Sequence, residues 1–152
     1  MILNTFEKNY PMKKIITLAL LISGFAFTVY QTPLWKKEQL MPTQELADKI
    51  RTNAKDKPLI FNVGPMDKIK SSVFVGIGTS ASMGDKMKST LSMENKTKPI
   101  VVYCGCCSYA SCPNIRPAYD FLVANGYKNT KVLELPEGLK PDWVAKGFPM
   151  EE

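Results

Sequence analysis

Pro99-Ile-Val-Val-Tyr-Cys104-Gly-Cys-Cys-Ser-Tyr-Ala-Ser-Cys112-Pro-Asn114 decides the fold and carries the chemistry. Its first six residues are uncharged, continuous and rich in β-branched side chains, which predicts a strand buried on both faces, as in a parallel sheet. A loop follows. Asn114 is placed to cap a helix that runs to about Asn125 and is ended by Gly126. Arg116 and Pro117 fall in its first turn, where proline is tolerated, and Ala118, Phe121, Leu122 and Val123 supply its apolar side.

Upstream, Thr43 to Arg51 reads as a helix with Thr43 as N-cap, Glu45 in the positively polarised first turn, and Leu46 and Ile50 on one face. Pro58 to Gly64 and Ser72 to Gly78 are short apolar runs, hence strands. Ser82 begins a further helix to Met93, with Asp85 as the acidic half of a capping box and Met87 and Leu91 facing one way. Downstream, Lys131 to Leu135 is a last strand and Asp142 to Lys146 a short closing helix, with Trp143 as core anchor. Strands that alternate with helices imply βαβ units. The expected fold class is α/β, with a mostly parallel, two-sided sheet.

The 152 residues suit one domain plus an appendage. Residues 27–41, which include Trp35, read as a flexible lead-in, and residues 42–152 as the domain. Met12-Lys-Lys followed by about a dozen apolar residues, then Gly24-Phe25-Ala26, has the layout of a secretory signal. This predicts a signal peptide over residues 1–26, with Met12 as a possible true start. The remainder is expected outside the cytoplasm, in the periplasm, or else secreted, or facing the periplasm from the membrane if the apolar segment stays uncleaved. Residues 1–26 carry three lysines and one glutamate. The remainder therefore holds 17 Lys+Arg against 13 Asp+Glu, a net +4 spread as isolated lysines. That dispersion argues against a nucleic-acid partner. The glycines at 76 and 78 lack the Lys-Ser/Thr pair of a phosphate cradle.

The chain has no histidine, which removes Ser-His-Asp and Cys-His catalysis and His-ligated zinc. Its four cysteines, Cys104, Cys106, Cys107 and Cys112, all lie within the nine residues from 104 to 112. A cysteine at the carboxyl end of a buried strand, in a loop that runs into a helix amino terminus, occupies the edge where open α/β sheets bind ligands. Main-chain N–H groups there favour a thiolate, and Arg116 can add positive charge. The loop fits a sulfur nucleophile.

Lys98 to Cys104, the loop, the amphipathic helix, Asn125-Gly-Tyr127, Val132-Leu-Glu-Leu135, Trp143 and Lys146-Gly-Phe-Pro149 together resemble the second half of a rhodanese domain. Pro58 to Gly64 with Ile69 to Gly78 resembles a degenerate first half. The resemblance implies a three-layer rhodanese-like fold and a sulfurtransferase activity in which Cys104 holds a persulfide. It runs over residues 43–150 and is strongest from 98 to 149. Gly105 stands where the family often has an arginine, Asn62 and Gly64 where it tends to an acidic residue and an arginine, and Leu135-Pro-Glu-Gly138 replaces a double glycine. These residues point to a divergent, exported Cys-Gly-Cys-Cys…Cys-Pro-Asn subgroup.

Three readings follow. In the first, Cys104 attacks a small sulfane-sulfur donor, and Cys107 or Cys112 resolves the persulfide to a disulfide, with a thiol as acceptor and no cofactor. Cys106 belongs to the same reactive set, and Gly105, Ser108 and Arg116 would line the substrate. In the second, the cysteines hold a soft ion, Cu(I) or Zn²⁺, although adjacent Cys106 and Cys107 are awkward to point inward together. In the third, a disulfide from Cys106 or Cys107 to Cys112 locks a non-catalytic binding module.

Overall fold

The computed structural model describes residues 34–152. The expected signal peptide, the Met12 start and residues 27–33 of the lead-in lie outside that range. Among the described residues, five strands occur: β1 (Leu40–Met41), β2 (Leu59–Asn62), β3 (Ser72–Phe74), β4 (Ile100–Tyr103) and β5 (Thr130–Leu133). They pair throughout in parallel, in the order β1-β5-β4-β2-β3. Among the same residues, four α-helices accompany them: α1 (Thr43–Arg51), α2 (Met83–Thr90), α3 (Ile115–Ala124) and α4 (Leu139–Asp142).

Strand β4 sits at the centre of the sheet, between β5 and β2, and all four of its residues are buried. Side chains alternate across a strand. Ile100, Val102 and Cys104 accordingly join Met83, Met87, Leu91, Ile115, Ala118 and Leu122, the apolar faces of α2 and α3. Val101 and Tyr103 join Leu46, Ala47, Ile50, Leu139 and Trp143 on the other side, from α1 and the closing turns. The result is a three-layer α/β/α domain with a five-stranded parallel sheet. Fully burying one Val or Ile contributes about 1.5–3 kcal/mol, so the continuous run read in the sequence is the main anchor of the sheet.

The lead-in departs from expectation. Leu40 and Met41 pair with Val132 and Leu133 as an edge strand, and Lys37–Gln39 forms a turn of 3-10 helix before them. Trp35 is buried in the core rather than free in a linker. Its ring meets Tyr119 edge-on at 5.0 Å. A two-residue strand and one aromatic leave no periodic signature, and burial of the ring outweighs the cost of ordering the segment.

Smaller differences have local causes. Pro42 takes the N-cap position of α1, and Thr43 is its first helical residue, buried. Helix α2 stops at Thr90, and Ser82 makes no capping bond. Strand β3 ends at Phe74; beyond it Val75 bonds the Asn62 carbonyl and Gly78 the Val63 carbonyl without extending the ladder. On α3, Ile115, Ala118 and Leu122 form the buried stripe while Val123 turns to solvent. The closing helix begins three residues early, at Leu139, and Trp143 is fully buried as its anchor.

Candidate functional site

The chain leaves β4 at Tyr103, and Cys104 follows with its side chain on the α2–α3 side. Gly105 then takes φ +80°, a left-handed conformation that only glycine adopts without strain. This turn reverses the chain and brings Cys106 back over Cys104, their Sγ atoms 3.2 Å apart. Cys107 Sγ lies 3.4 Å from Cys106 Sγ. Cys112, eight residues after Cys104, folds into the same cluster: the Sγ atoms of Cys104, Cys106 and Cys112 all lie within 4.8 Å of one another. All four thiols are free. The loop thus gathers its sulfurs, as their spacing suggested.

Exposure divides them. Cys104 and Cys112 are buried, Cys106 is exposed and Cys107 is intermediate. This corrects the expectation that Cys104 is the solvent-facing, low-pKa thiolate. Its relative exposure is 0%, and burial pushes its pKa up, against a lowering by the Asn114 amide. Burial likewise drives Cys112 far up, and its sulfur neighbours Cys104 and Cys107 push the same way. Desolvation penalises an anion more than a few N–H groups repay. At neutral pH both buried sulfurs are thiols.

Asn114 does not cap α3 with its side chain; its Nδ2 instead donates to Cys104 Sγ at 3.3 Å. The main-chain N–H of Cys106 is directed at Cys104 and that of Asn114 at Cys112. These donors sit where negative charge on sulfur would develop.

Arg116 does not serve the loop. Its guanidinium stacks on Trp35 at 3.7 Å, donates to the Leu34 carbonyl and pairs with Asp120 at 3.8 Å. The structured lead-in, illegible in the sequence, is what draws it away. Ser108 also turns inward on the loop, accepting from the Ala110 N–H, rather than lining a substrate space. The carbonyl of Gly105 accepts from the Leu139 N–H at 2.9 Å.

Residues outside the predicted set shape the site. Trp35 Nε1 donates to the Tyr109 carbonyl at 3.2 Å, so the lead-in straps the cysteine loop. Tyr109 N–H in turn bonds Leu135. Asp142, buried, accepts from the N–H groups of Glu137 and Gly138 and holds the turn that packs on Gly105. On the neighbouring strand, Asn62 Oδ1 accepts from the Gly64 N–H at 2.9 Å and its Nδ2 donates to the Met66 carbonyl. A Cβ on Gly64 would stand 2.4 Å from Cys104 Sγ and 2.3 Å from its carbonyl oxygen. Glycine there is the condition for Cys104 to sit in the core. The signal existed, since Gly64-Pro65 ends a predicted strand, but the pairing of that strand with the cysteine strand was needed to read it.

No family model and no curated protein matches this chain. Among solved structures, the chain is similar to the rhodanese-like domain of an Anabaena protein determined in solution by NMR. That domain is 18% identical, aligns over 74% of this chain and 78% of its own length, and superposes with a TM-score of 0.51. With the all-parallel sheet and its flanking helices, this likeness establishes that the chain has the rhodanese-like fold.

Proposed function

We propose that this chain is a thiol-based sulfur-transfer or redox protein in which Cys106 meets the substrate and Cys104 stands behind it. The observation that carries the reading is an exposed thiol in contact with a buried one, Cys106 Sγ 3.2 Å from Cys104 Sγ. The rhodanese-like fold and the sulfur cluster support the same chemistry. The Cys106 thiolate attacks the outer sulfur of a small sulfane donor such as thiosulfate. The donor's S–S bond breaks, sulfite leaves with the bonding pair, and Cys106 holds a persulfide. Cys104, losing its proton to water, then attacks the inner sulfur, expels hydrosulfide and closes a Cys104–Cys106 disulfide. Two thiols are oxidised and one sulfane sulfur is reduced to sulfide, so no further oxidant is needed. The sulfurs must approach to about 2.05 Å, a movement within reach of one side-chain rotation. A thiol acceptor restores the dithiol by exchange.

Export belongs to the same proposal: the Lys-Lys and apolar pattern after Met12 supports a location outside the cytoplasm, in the periplasm. Intact mass spectrometry of the reduced protein with thiosulfate or polysulfide tests the chemistry. Wild type gains about 32 Da transiently and settles about 2 Da below the reduced mass as the disulfide closes, Cys106→Ser shows neither change, and Cys104→Ser keeps the gain but forms no disulfide. Absence of both the gain and the disulfide in wild type with either donor, or an undiminished gain in Cys106→Ser, overturns the reading.

A further inference from the structure

We propose that Cys104, Cys106 and Cys112 also form a three-coordinate site for Cu(I). Metal–sulfur bonds of about 2.3 Å at the corners of a triangle place the sulfurs roughly 4 Å from one another. The observed separations are of that order: 3.2 Å between Cys104 and Cys106, and all three pairs within 4.8 Å. Small side-chain adjustments close the difference, with no movement of the sheet.

Adjacent Cys106 and Cys107 keep their sulfurs 3.4 Å apart, but only Cys106 lies within reach of both Cys104 and Cys112. The fold selects Cys106 and supplies the third sulfur from Cys112, at the entrance to α3, while Cys107 falls outside the triad. Cys112 is a buried thiol that the sulfur-transfer chemistry leaves unused, and the metal site gives it a role.

The donor set decides the ion. The residues from 104 to 112 contain no histidine and no carboxylate, so the ligands are sulfur alone. Sulfur donors select soft ions, and Zn²⁺ closes its structural sites with four ligands where Cu(I) is satisfied here by three. Exposed Cys106 gives the ion a way in, and buried Cys104 and Cys112 hold it away from water. A second-shell donor is in place: Asn114 Nδ2 donates to Cys104 Sγ at 3.3 Å. On binding, three thiols release three protons, three S–Cu bonds form and the copper stays Cu(I), giving a complex of charge −2. No redox step is involved.

The test is anaerobic titration of the reduced full chain with Cu(I), supplied as its acetonitrile complex, in competition with the chromogenic chelator bicinchoninate. The expected result is one Cu(I) per chain withdrawn from the chelator and three sulfur ligands in the X-ray absorption spectrum. Cys107→Ser binds with wild-type stoichiometry, whereas Cys112→Ser loses at least about tenfold in affinity, as the loss of one of three ligands demands. Cys106→Ser, altered at an exposed position that leaves folding intact, shows the same loss and guards against a misfolded Cys112 variant. Failure to withdraw copper overturns the site, as does wild-type affinity in Cys112→Ser and Cys106→Ser. Four sulfur ligands, or Zn²⁺ displacing Cu(I) at equal stoichiometry, overturns the assignment. The thiosulfate mass gain is read separately on copper-free wild type. A gain without copper binding sinks this site alone, and copper binding without a gain sinks only the transfer chemistry.

Discussion

Strands β2 and β4 lie side by side, with Asn62 opposite Tyr103, and end in the same rhythm: Asn62-Val-Gly64 and Tyr103-Cys104-Gly105. Each end turns on a glycine, yet the two glycines do different things. Gly64 has no positive φ and is required by space, because the Cys104 sulfur and carbonyl occupy the place of its Cβ. Gly105 is required by backbone conformation, because φ +80° sends the chain back across the strand end and carries Cys106 to Cys104. One strand end makes room and the other makes the turn. A sulfur cluster at the centre of the sheet needs both, and the polar residue Asn62 on the passive side only fastens its own turn.

The largest effect is expected from removing the room. Gly64→Ala sets a methyl against main-chain as well as sulfur atoms, so the strand ends must part. A loss of about 3 kcal/mol is expected in urea unfolding, at the upper end for overpacking, together with faster alkylation of Cys104 by a thiol reagent. Wild-type stability in this variant would show that the two ends do not meet as described.

Removing the turn should cost less. Gly105→Ala faces a left-handed backbone and a Cβ contact of 2.8 Å with the Cβ of Leu139, a looser approach than the 2.3 Å at Gly64. About 2 kcal/mol is expected, with a sharper loss of function than of stability, since Cys106 no longer sits over Cys104. The thiosulfate mass gain and its conversion to a disulfide report the two halves of that prediction. Retention of disulfide formation at the wild-type rate contradicts it.

The smallest effect is the pH dependence, which separates the titrating end from the non-titrating one. Burial raises Cys104 and Cys112 in the folded chain, while in the unfolded chain a thiol loses its proton near pH 8.5. Between those values the unfolded state binds fewer protons, so stability falls as pH rises. The thiol contribution is complete below about pH 8.5 and is lost progressively above it. Tyr103, also raised by burial, adds to the decline only above about pH 10. The denaturant midpoint of the reduced protein should drop between pH 8 and 10, and Cys104→Ala should flatten that slope where Asn62→Ala does not. A flat wild-type profile would mean that Cys104 and Cys112 are not sealed.

Much of the fold was legible because burial on both faces leaves a continuous apolar run. The run 99–104 reads as a strand buried on both faces, and Asn114 and Gly126 bound the helix that follows within a residue. The clustering of the sulfurs was legible for the same reason of short range: four cysteines in nine residues cannot be far apart. Arg116 was misassigned because its partner, Trp35, is distant in the chain and lies in a segment without periodicity. Asn114 was read as a cap on the strength of its position. The sulfur of Cys104, an acceptor brought near by the fold of the loop, took its amide instead.

By itself the sequence determined the layered α/β arrangement, the central strand and the presence of a sulfur-only donor set at its end, because these follow from local pattern and residue type. Only the tertiary structure decided which sulfur faces water, which sit in the core and which three come together. Those outcomes depend on Gly64 of a neighbouring strand, on the left-handed turn at Gly105 and on a tryptophan arriving from the far end of the domain. Solvation of a thiol is set by what packs over it, and that is a property of distant residues rather than of its own neighbours in the chain.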